Sequence, residues 1–304
     1  MTPLLAEWPR THYVAGGNNP FLIYVVYGWV DLDRPLSRSA YRSSGVPDGI
    51  DLLSYGPTEH PDVVRRFRTG HPWTRLIAED PDLAAIVAAQ DCCLVVKGDI
   101  ADPRTLSYFR DVIGLLAFCL DVGGVAIYDP QMLKWWSPTE WRTRAFNVGH
   151  CAPRHHVVTL ISPDGDGTEW VHTRGMRKFG RPDLSIHRLR TEHREAILDL
   201  VNRFIDLLAF GARVPDGQPI RLAGLPAGMT CWRRGDENDP DFNNEHIEIV
   251  WPEAGTGAAV PSPQASRCSV RIRWMLRSGR PNLRMPRVWT LSVPSPSGEI
   301  KVTT

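Results

Sequence analysis

Residues 168–189 read TEWVHTRGMRKFGRPDLSIHRL, two alternating segments that flank a basic turn containing two glycines and a proline. Trp170, His172 and Arg174 occupy alternate positions, as residues on one face of a strand do. The glycines permit positive φ between the segments, and the proline fixes its own φ. This stretch therefore predicts a strand, a tight basic turn and a second strand.

The turn concentrates positive charge, because Arg174, Arg177, Lys178 and Arg181 lie within eight residues. Cations this close repel one another unless anions lie near them. Two interpretations stay open. The turn is either an anion-binding site, with His172 as a polar partner, or a solvated turn whose cations pair with acidic residues of the same hairpin.

The composition limits the kinds of partner that the chain can have. With 304 residues, 42% of them hydrophobic, the chain can bury a large core. Its 35 Lys and Arg residues balance 34 Asp and Glu residues, so whole-molecule charge favours neither nucleic acid nor an anionic membrane. The first residues, MTPLLAEWPRTHY, lack the basic start and apolar run of a signal peptide. We expect a soluble cytoplasmic protein that does not insert into membranes.

The cysteines and histidines do not have the spacing of a metal site. The six cysteines include no C-x-x-C pair, and we expect buried reduced thiols. A cluster of possible zinc ligands consists of His150, Cys151, His155, His156 and His172, but the common ligand spacings are absent. We expect His156 to face His172 across a hairpin. The sequence predicts no metal site and no cofactor.

The N-terminal half is typical of one buried helix beside strands. Residues 21–30 are rich in β-branched and aromatic side chains and predict a buried strand. Asp102, followed by proline, is typical of a helix start and introduces a helix over about 104–122. Apolar runs at 92–96 and 125–128 flank this helix at the spacing of a strand–helix–strand crossover.

The C-terminal half predicts a hairpin, a second long helix and further strands. The glycines at 165 and 167 place a hairpin loop before the basic turn. Apolar residues at helical spacing predict a helix over about 192–210. Further strands are expected at about 230–233, 246–251, 268–276 and 288–293.

These elements favour an α+β fold with mixed sheets, in which two helix-on-sheet lobes share one extended core. The predicted division is an N-terminal α/β lobe over residues 1–150, containing the helix 104–122. The second lobe, α+β, covers residues 151–304 and contains the helix 192–210 with several antiparallel strands.

Two charged segments offer weaker functional hypotheses. The acidic run 236–248 lacks the glycine and terminal glutamate of an EF-hand, so we expect it to balance arginines on a neighbouring strand. The segment 267–301 is rich in arginine and contains two tryptophans, which are also features of nucleic-acid surfaces. Because the acidic run lies one strand earlier and the overall charge is near zero, neutralisation is the favoured interpretation and nucleic acid is not an expected partner.

The segment HTRGMRKFGRPDLSI, with its TRG-x2-KFG-x-PDL turn, and the segment DPDFNNEHIEIVWP resemble bacterial proteins classed as domains of unknown function. Such proteins are found beside toxin and secretion genes, so the resemblance implies an interaction or immunity role. It implies no catalytic residues.

Signatures of catalysis are missing, since the chain has no G-x-S-x-G, Walker A, G-x-G-x-x-G or H-E-x-x-H motif. The leading hypothesis is therefore a protein that binds another protein through a tryptophan-rich or charged face. The alternative is a hydrolase-like enzyme whose anionic substrate is held by the basic turn 174–181.

Overall fold

The computed structural model describes residues 5–58, 60–239, 241–252, 288–292 and 299–303. The predicted strand 268–276, and most of the arginine-rich segment 267–301, lie outside the described residues.

The described residues form strands of two sheets. In chain order the strands are β1 (Phe21–Tyr27), β2 (Leu36–Ser37), β3 (Ile50–Tyr55), β4 (Cys93–Asp99), β5 (Ala126–Asp129), β6 (Lys134–Trp136), β7 (Val158–Pro163), β8 (Glu169–Arg174), β9 (Asp183–Leu189), β10 (Gln218–Pro219), β11 (Thr230–Arg234), β12 (His246–Val250), β13 (Val288–Ser292) and β14 (Glu299–Thr303).

Helices cover the faces of these sheets. In chain order they are α1 (Arg38–Tyr41), α2 (Pro61–Arg66), α3 (Gly70–Glu79), α4 (Pro81–Ala88), α5 (Ser107–Asp121), α6 (Pro138–Trp141) and α7 (Arg194–Ala209). A π-helical turn (Arg142–Phe146) continues α6, and 3-10 turns occupy Pro153–His155, Met176–Phe179 and Thr191–His193.

The first sheet is antiparallel, in the order β2-β14-β13-β3-β4-β1-β5-β6. Both β4 and β5 pair antiparallel with β1, so they run parallel to each other on its two sides. The predicted crossover through α5 is therefore present, with β1 inserted between its two strands.

Strand β1 is buried on both faces, which explains its uninterrupted apolar sequence. One set of side chains packs in the cluster that contains α5, namely Leu22, Tyr24 and Val26. The other set packs in a second cluster with α2, α3 and α4, namely Ile23, Val25 and Tyr27. The first sheet thus forms the middle layer of this lobe.

The second sheet is mixed, in the order β10-β11-β12-β9-β8-β7. Its parallel pair is β12 with β9, whereas the other neighbours are antiparallel. Helix α7 covers the face that carries Val171, Ile186 and Ile247, and these side chains join the same apolar cluster as α5. The fold is therefore α+β, with two helix-on-sheet lobes and one extended core, as predicted.

Short-range signals in the sequence account for several local features. Asp80 accepts from the Leu83 backbone N–H at 3.0 Å and caps α4, and Ser137 accepts from the Glu140 N–H at 3.1 Å and caps α6. The hairpin of β7 and β8 forms around the predicted glycine loop.

Other local predictions are wrong. Helix α5 begins at Ser107, with no side-chain cap, and Asp102 faces two arginines instead. His156 precedes β7, so the residue opposite His172 is Leu160. The His156 ring instead packs edge-on against Phe109, with 4.8 Å between ring centroids.

Among the described residues, the helices are too short or too polar to cross a lipid bilayer.

Candidate functional site

The basic turn 174–181 lies between the two sheets, and its four cationic side chains extend in different directions. The side chain of Lys178 is completely buried, and Arg181 is 1% exposed. Arg174 and Arg177 instead lie under the loop that precedes β12. The four cations therefore do not converge on one external ligand position.

Lys178 joins the turn to the first sheet. Its Nζ donates to Asp129 Oδ2 at 2.5 Å and to the His156 backbone oxygen at 2.9 Å. The other Asp129 oxygen accepts from the backbone N–H groups of Gln131 and Met132. Loss of water raises the pKa of the Asp129 carboxyl and lowers the pKa of the Lys178 ammonium. This pair is a buried acid–base contact across the interface between the sheets.

Arg181 belongs to a second buried cluster around Asp102. Arg10 donates to Asp102 Oδ1 at 2.7 Å, and Arg181 donates to the same oxygen at 3.1 Å. Arg181 also donates to the carbonyl oxygens of Gly180 and Gly211, at 2.9 and 3.0 Å. The cluster fixes the N-terminal segment against the turn and the end of α7.

Two glycines allow this close approach. A Cβ at Gly17 would lie 1.7 Å from Arg181 Nη1, so a larger residue would displace the guanidinium. Gly180 has φ of +61°, and a Cβ there would lie 2.1 Å from the Asn18 carbonyl oxygen. Glycine at position 17 thus leaves room for Arg181, and glycine at position 180 leaves room for the backbone of Asn18.

Asp183 ends the turn as a buried carboxylate, and its hydrogen-bond partners among the described residues are uncharged. It accepts from Thr173 Oγ1 at 2.9 Å, Asn244 Nδ2 at 2.8 Å and the Met176 N–H at 3.3 Å. Burial raises its pKa to about 6, although these hydrogen bonds oppose the rise. Asp183 holds the start of β9 against the residues that lead into β12.

Arg174 and Arg177 bind the acidic loop. Arg174 Nη1 donates to the Asp241 carbonyl oxygen at 2.7 Å. Arg177 donates to the Asn243 carbonyl oxygen at 2.9 Å and to Glu237 at 3.1 Å. The acids that pair with the turn therefore come from distant elements and not from its own hairpin.

His172, the predicted polar partner, lies on the sheet face opposite α7. Its ring stacks on Trp170 with 3.9 Å between centroids, and burial lowers its pKa to about 4. The imidazole is therefore neutral near pH 7 and part of an aromatic stack.

The space beside the buried turn is too small for a substrate. A cavity of about 20 Å³ borders Arg181, Gly17 and Glu245. A water molecule requires about 10–15 Å³ measured in this way, so the cavity has room for about one water.

A larger cleft, of about 340 Å³, opens between the two sheets beside the middle of α7. Its walls come from β6, the π-helical turn, the turn Pro153–His155, the start of β7 and the middle of α7. Four basic side chains line it, together with apolar groups that include Trp136, Val157 and Ile205; the basic ones are Lys134, Arg144, Arg154 and His155. This volume lies at the lower end of the range for ligand sites.

The cations of the cleft are held in place but remain partly exposed. Lys134 Nζ lies 3.6 Å from the centroid of the Trp136 ring and 2.7 Å from Glu140 Oε1. Arg144 also approaches Glu140, at 3.6 Å, and Arg154 donates to Asp206 Oδ2 at 2.5 Å. The three cations outnumber the two carboxylates that pair with them.

His155 contributes an imidazole to the same wall. Its Nδ1 lies 2.7 Å from the Arg144 carbonyl oxygen, so Nδ1 carries the hydrogen and donates. The second ring nitrogen is then the acceptor in the neutral form.

Sequence reasoning did not find this cleft. Its basic residues stand in three separate elements, and no local pattern unites them. Within the described part of the chain, no three His, Cys, Asp or Glu side chains are grouped so that they could hold a metal ion. The possible zinc ligands are dispersed, with His156 in the core and His155 at the cleft.

Comparisons of the chain with protein-family models, curated proteins and solved structures give no match.

Proposed function

We propose that this chain is a binding protein whose partner is another protein, an interaction role of the kind that includes immunity proteins. The observation that carries this proposal is the 340 Å³ basic cleft beside the partly exposed strand β7. The cleft supplies positive charge and the neighbouring uncharged strand supplies backbone groups, and protein-recognition sites use both features.

The alternative function, an enzyme with its anionic substrate at the turn 174–181, receives less support. Lys178 is already paired with Asp129, and Arg181 is already paired with Asp102, which also pairs with Arg10. The cavity at Arg181 has room for about one water molecule. An anionic substrate would have to break these buried pairs, and a broken buried pair destabilises a protein by about 3–5 kcal/mol.

Site-specific crosslinking in cells that make the protein tests the binding role. A photoreactive phenylalanine analogue replaces Ile161, on β7 next to the cleft. In the control it replaces Ile77, which is similarly exposed but lies on α3. We expect a discrete crosslinked protein from position 161 that position 77 does not give. Identical products from the two positions, or no product from position 161, would contradict the proposal.

A further inference from the structure

We propose that β7 receives an extended acidic segment of the partner as an additional strand, and that one carboxylate of this segment enters the cleft. This inference rests on the proposed binding function and specifies its chemistry. Two independent features of the structure support it, namely the outer edge of β7 and the charge of the cleft.

Strand β7 is the last strand of its sheet in the described part of the chain. The Asp164 N–H donates to the Thr168 carbonyl oxygen at 3.0 Å. Asp164 and Thr168 are therefore a hydrogen-bonded pair that continues the antiparallel ladder between β7 and β8. Because such pairs alternate along an antiparallel ladder, the backbone groups of Ile161 and Thr159 point away from β8. Pro163 also has its backbone directed away from β8, but as a proline it has no N–H to donate to a further strand.

Pro163 protects only the end of this edge, and no charged side chain protects the rest of it. Natural edge strands commonly carry lysine or other charges that prevent a further strand from pairing. The sequence of β7 is VTLISP, with no charged residue. Ile161 is 42% exposed although it lies opposite Val171, which is completely buried. An added strand would cover the exposed part of Ile161.

The charge of the cleft specifies the kind of segment that fits. Thr159 both lines the cleft and presents its backbone to the open edge, so a strand paired there passes the cleft directly. Lys134, Arg144 and Arg154 provide the positive charge, while Trp136 provides an apolar wall. A glutamate side chain from the added strand can reach these cations, whereas a lysine would be repelled.

Fluorescence anisotropy with synthetic peptides tests this inference. The probe is a fluorescein-labelled nine-residue peptide in which glutamate alternates with threonine and valine. One control has lysine in place of each glutamate. The other keeps the glutamates but is N-methylated at alternate amides, so it cannot form the backbone hydrogen bonds of one strand edge.

Variants of the protein test whether the peptide binds at the cleft and at the edge of β7. Arg154→Gln removes a cation of the cleft, and Arg203→Gln is the matched control, because Arg203 pairs with Asp199 on α7 and does not line the cleft. Ile161→Pro removes an outward N–H of β7. Thermal unfolding of each variant establishes that it is folded before binding is measured.

We expect the acidic peptide to bind, and both control peptides to bind at least about tenfold more weakly. Arg154→Gln and Ile161→Pro should weaken binding by a similar factor, whereas Arg203→Gln should not. Equal binding of the N-methylated peptide would overturn strand addition. Equal binding of the lysine peptide would overturn the acidic specificity.

The result also separates this inference from the proposed function. If a partner is crosslinked at position 161 but the acidic peptide does not bind, the strand-addition inference fails and the binding function stands. If 10 mM inorganic phosphate displaces the peptide completely and the N-methylated peptide binds equally, the cleft recognises anions without the edge, and the inference is overturned. If the crosslinking experiment fails, the binding function itself is contradicted.

Discussion

Lys178 Nζ lies 2.5 Å from Asp129 Oδ2, and neither side chain reaches solvent. Lys178 belongs to the turn before β9 in the second sheet, whereas Asp129 is the last residue of β5 in the first. This ion pair therefore joins the two lobes within the extended core, as does the pair of Arg181 with Asp102. Several expected outcomes depend on such buried contacts.

Lys178→Met should lower the free energy of unfolding by about 3–5 kcal/mol, because it leaves the Asp129 charge buried and unpaired. Urea titration with one probe in each lobe measures the loss. In the double variant with Asp129→Asn the charge is gone, while the asparagine oxygen still accepts from Gln131 and Met132. The double variant should therefore be more stable than Lys178→Met alone. A double variant that is less stable than the single one would contradict this account.

The pH dependence of stability should contain a contribution from Asp183. Its pKa is raised from 3.8 to about 6 by burial, so the folded protein binds more protons than the unfolded chain between these values. Asp183 therefore contributes stability below about pH 4, and this contribution is lost as the pH rises to about 6.

Asp183→Asn removes that contribution. Between pH 4 and pH 7 the free energy of unfolding of the wild type should fall by up to about 3 kcal/mol relative to that of the variant. Urea titrations of both proteins at several pH values measure the difference. If the free energies of unfolding of the two proteins differ by the same amount at every pH in this range, Asp183 has the same pKa in the folded and unfolded chains.

Arg181→Gln and Arg177→Gln should differ in their effects, although both residues belong to the same turn. Arg181 donates hydrogen bonds to Asp102 and to backbone carbonyl oxygens, so Arg181→Gln should lower the free energy of unfolding by about 3 kcal/mol. Arg177 pairs with Glu237, whose side chain is 72% exposed, and its loss should cost about 1 kcal/mol. Thermal or urea unfolding separates the two. Equal losses would mean that the burial of Arg181 does not determine its contribution.

The two long helices allow a comparison of core positions. Phe109 on α5 is completely buried, and Phe109→Ala should cost about 3–5 kcal/mol. Phe204 on α7 is only partly buried against the core, so Phe204→Ala should cost less. Chemical denaturation measures both values, and a larger loss at Phe204 would contradict the packing described for α7.

The sequence was sufficient for elements that depend on local patterns. The helices expected at 104–122 and 192–210 are α5 (Ser107–Asp121) and α7 (Arg194–Ala209). Their apolar periodicity and the turns at their ends are local signals. The cap at Ser137 was predictable for the same reason, because donor and acceptor are three residues apart.

The candidate site was not predictable, because its contacts join distant parts of the chain. Lys178 pairs with a carboxylate 49 positions away, and Arg181 with one 79 positions away. Asp102 shows the limit clearly, since an aspartate before a proline is also typical of a helix cap. Only the approach of Arg10 and Arg181 identifies its actual role. Residues that form the cleft are separated in the sequence in the same way.

The central position of β1 has a consequence for synthesis of the chain on the ribosome. Tyr27 pairs with Cys93 on one side and with Ala126 on the other, so β1 leaves the ribosome long before its second partner. At about 5–20 residues per second, the interval for the roughly 100 intervening residues is about 5–20 s. During that time the segment FLIYVVY has the apolar, uncharged composition of an aggregation-prone strand. Until β5 leaves the ribosome, one edge of β1 therefore lacks its native partner strand and is open to non-native pairing.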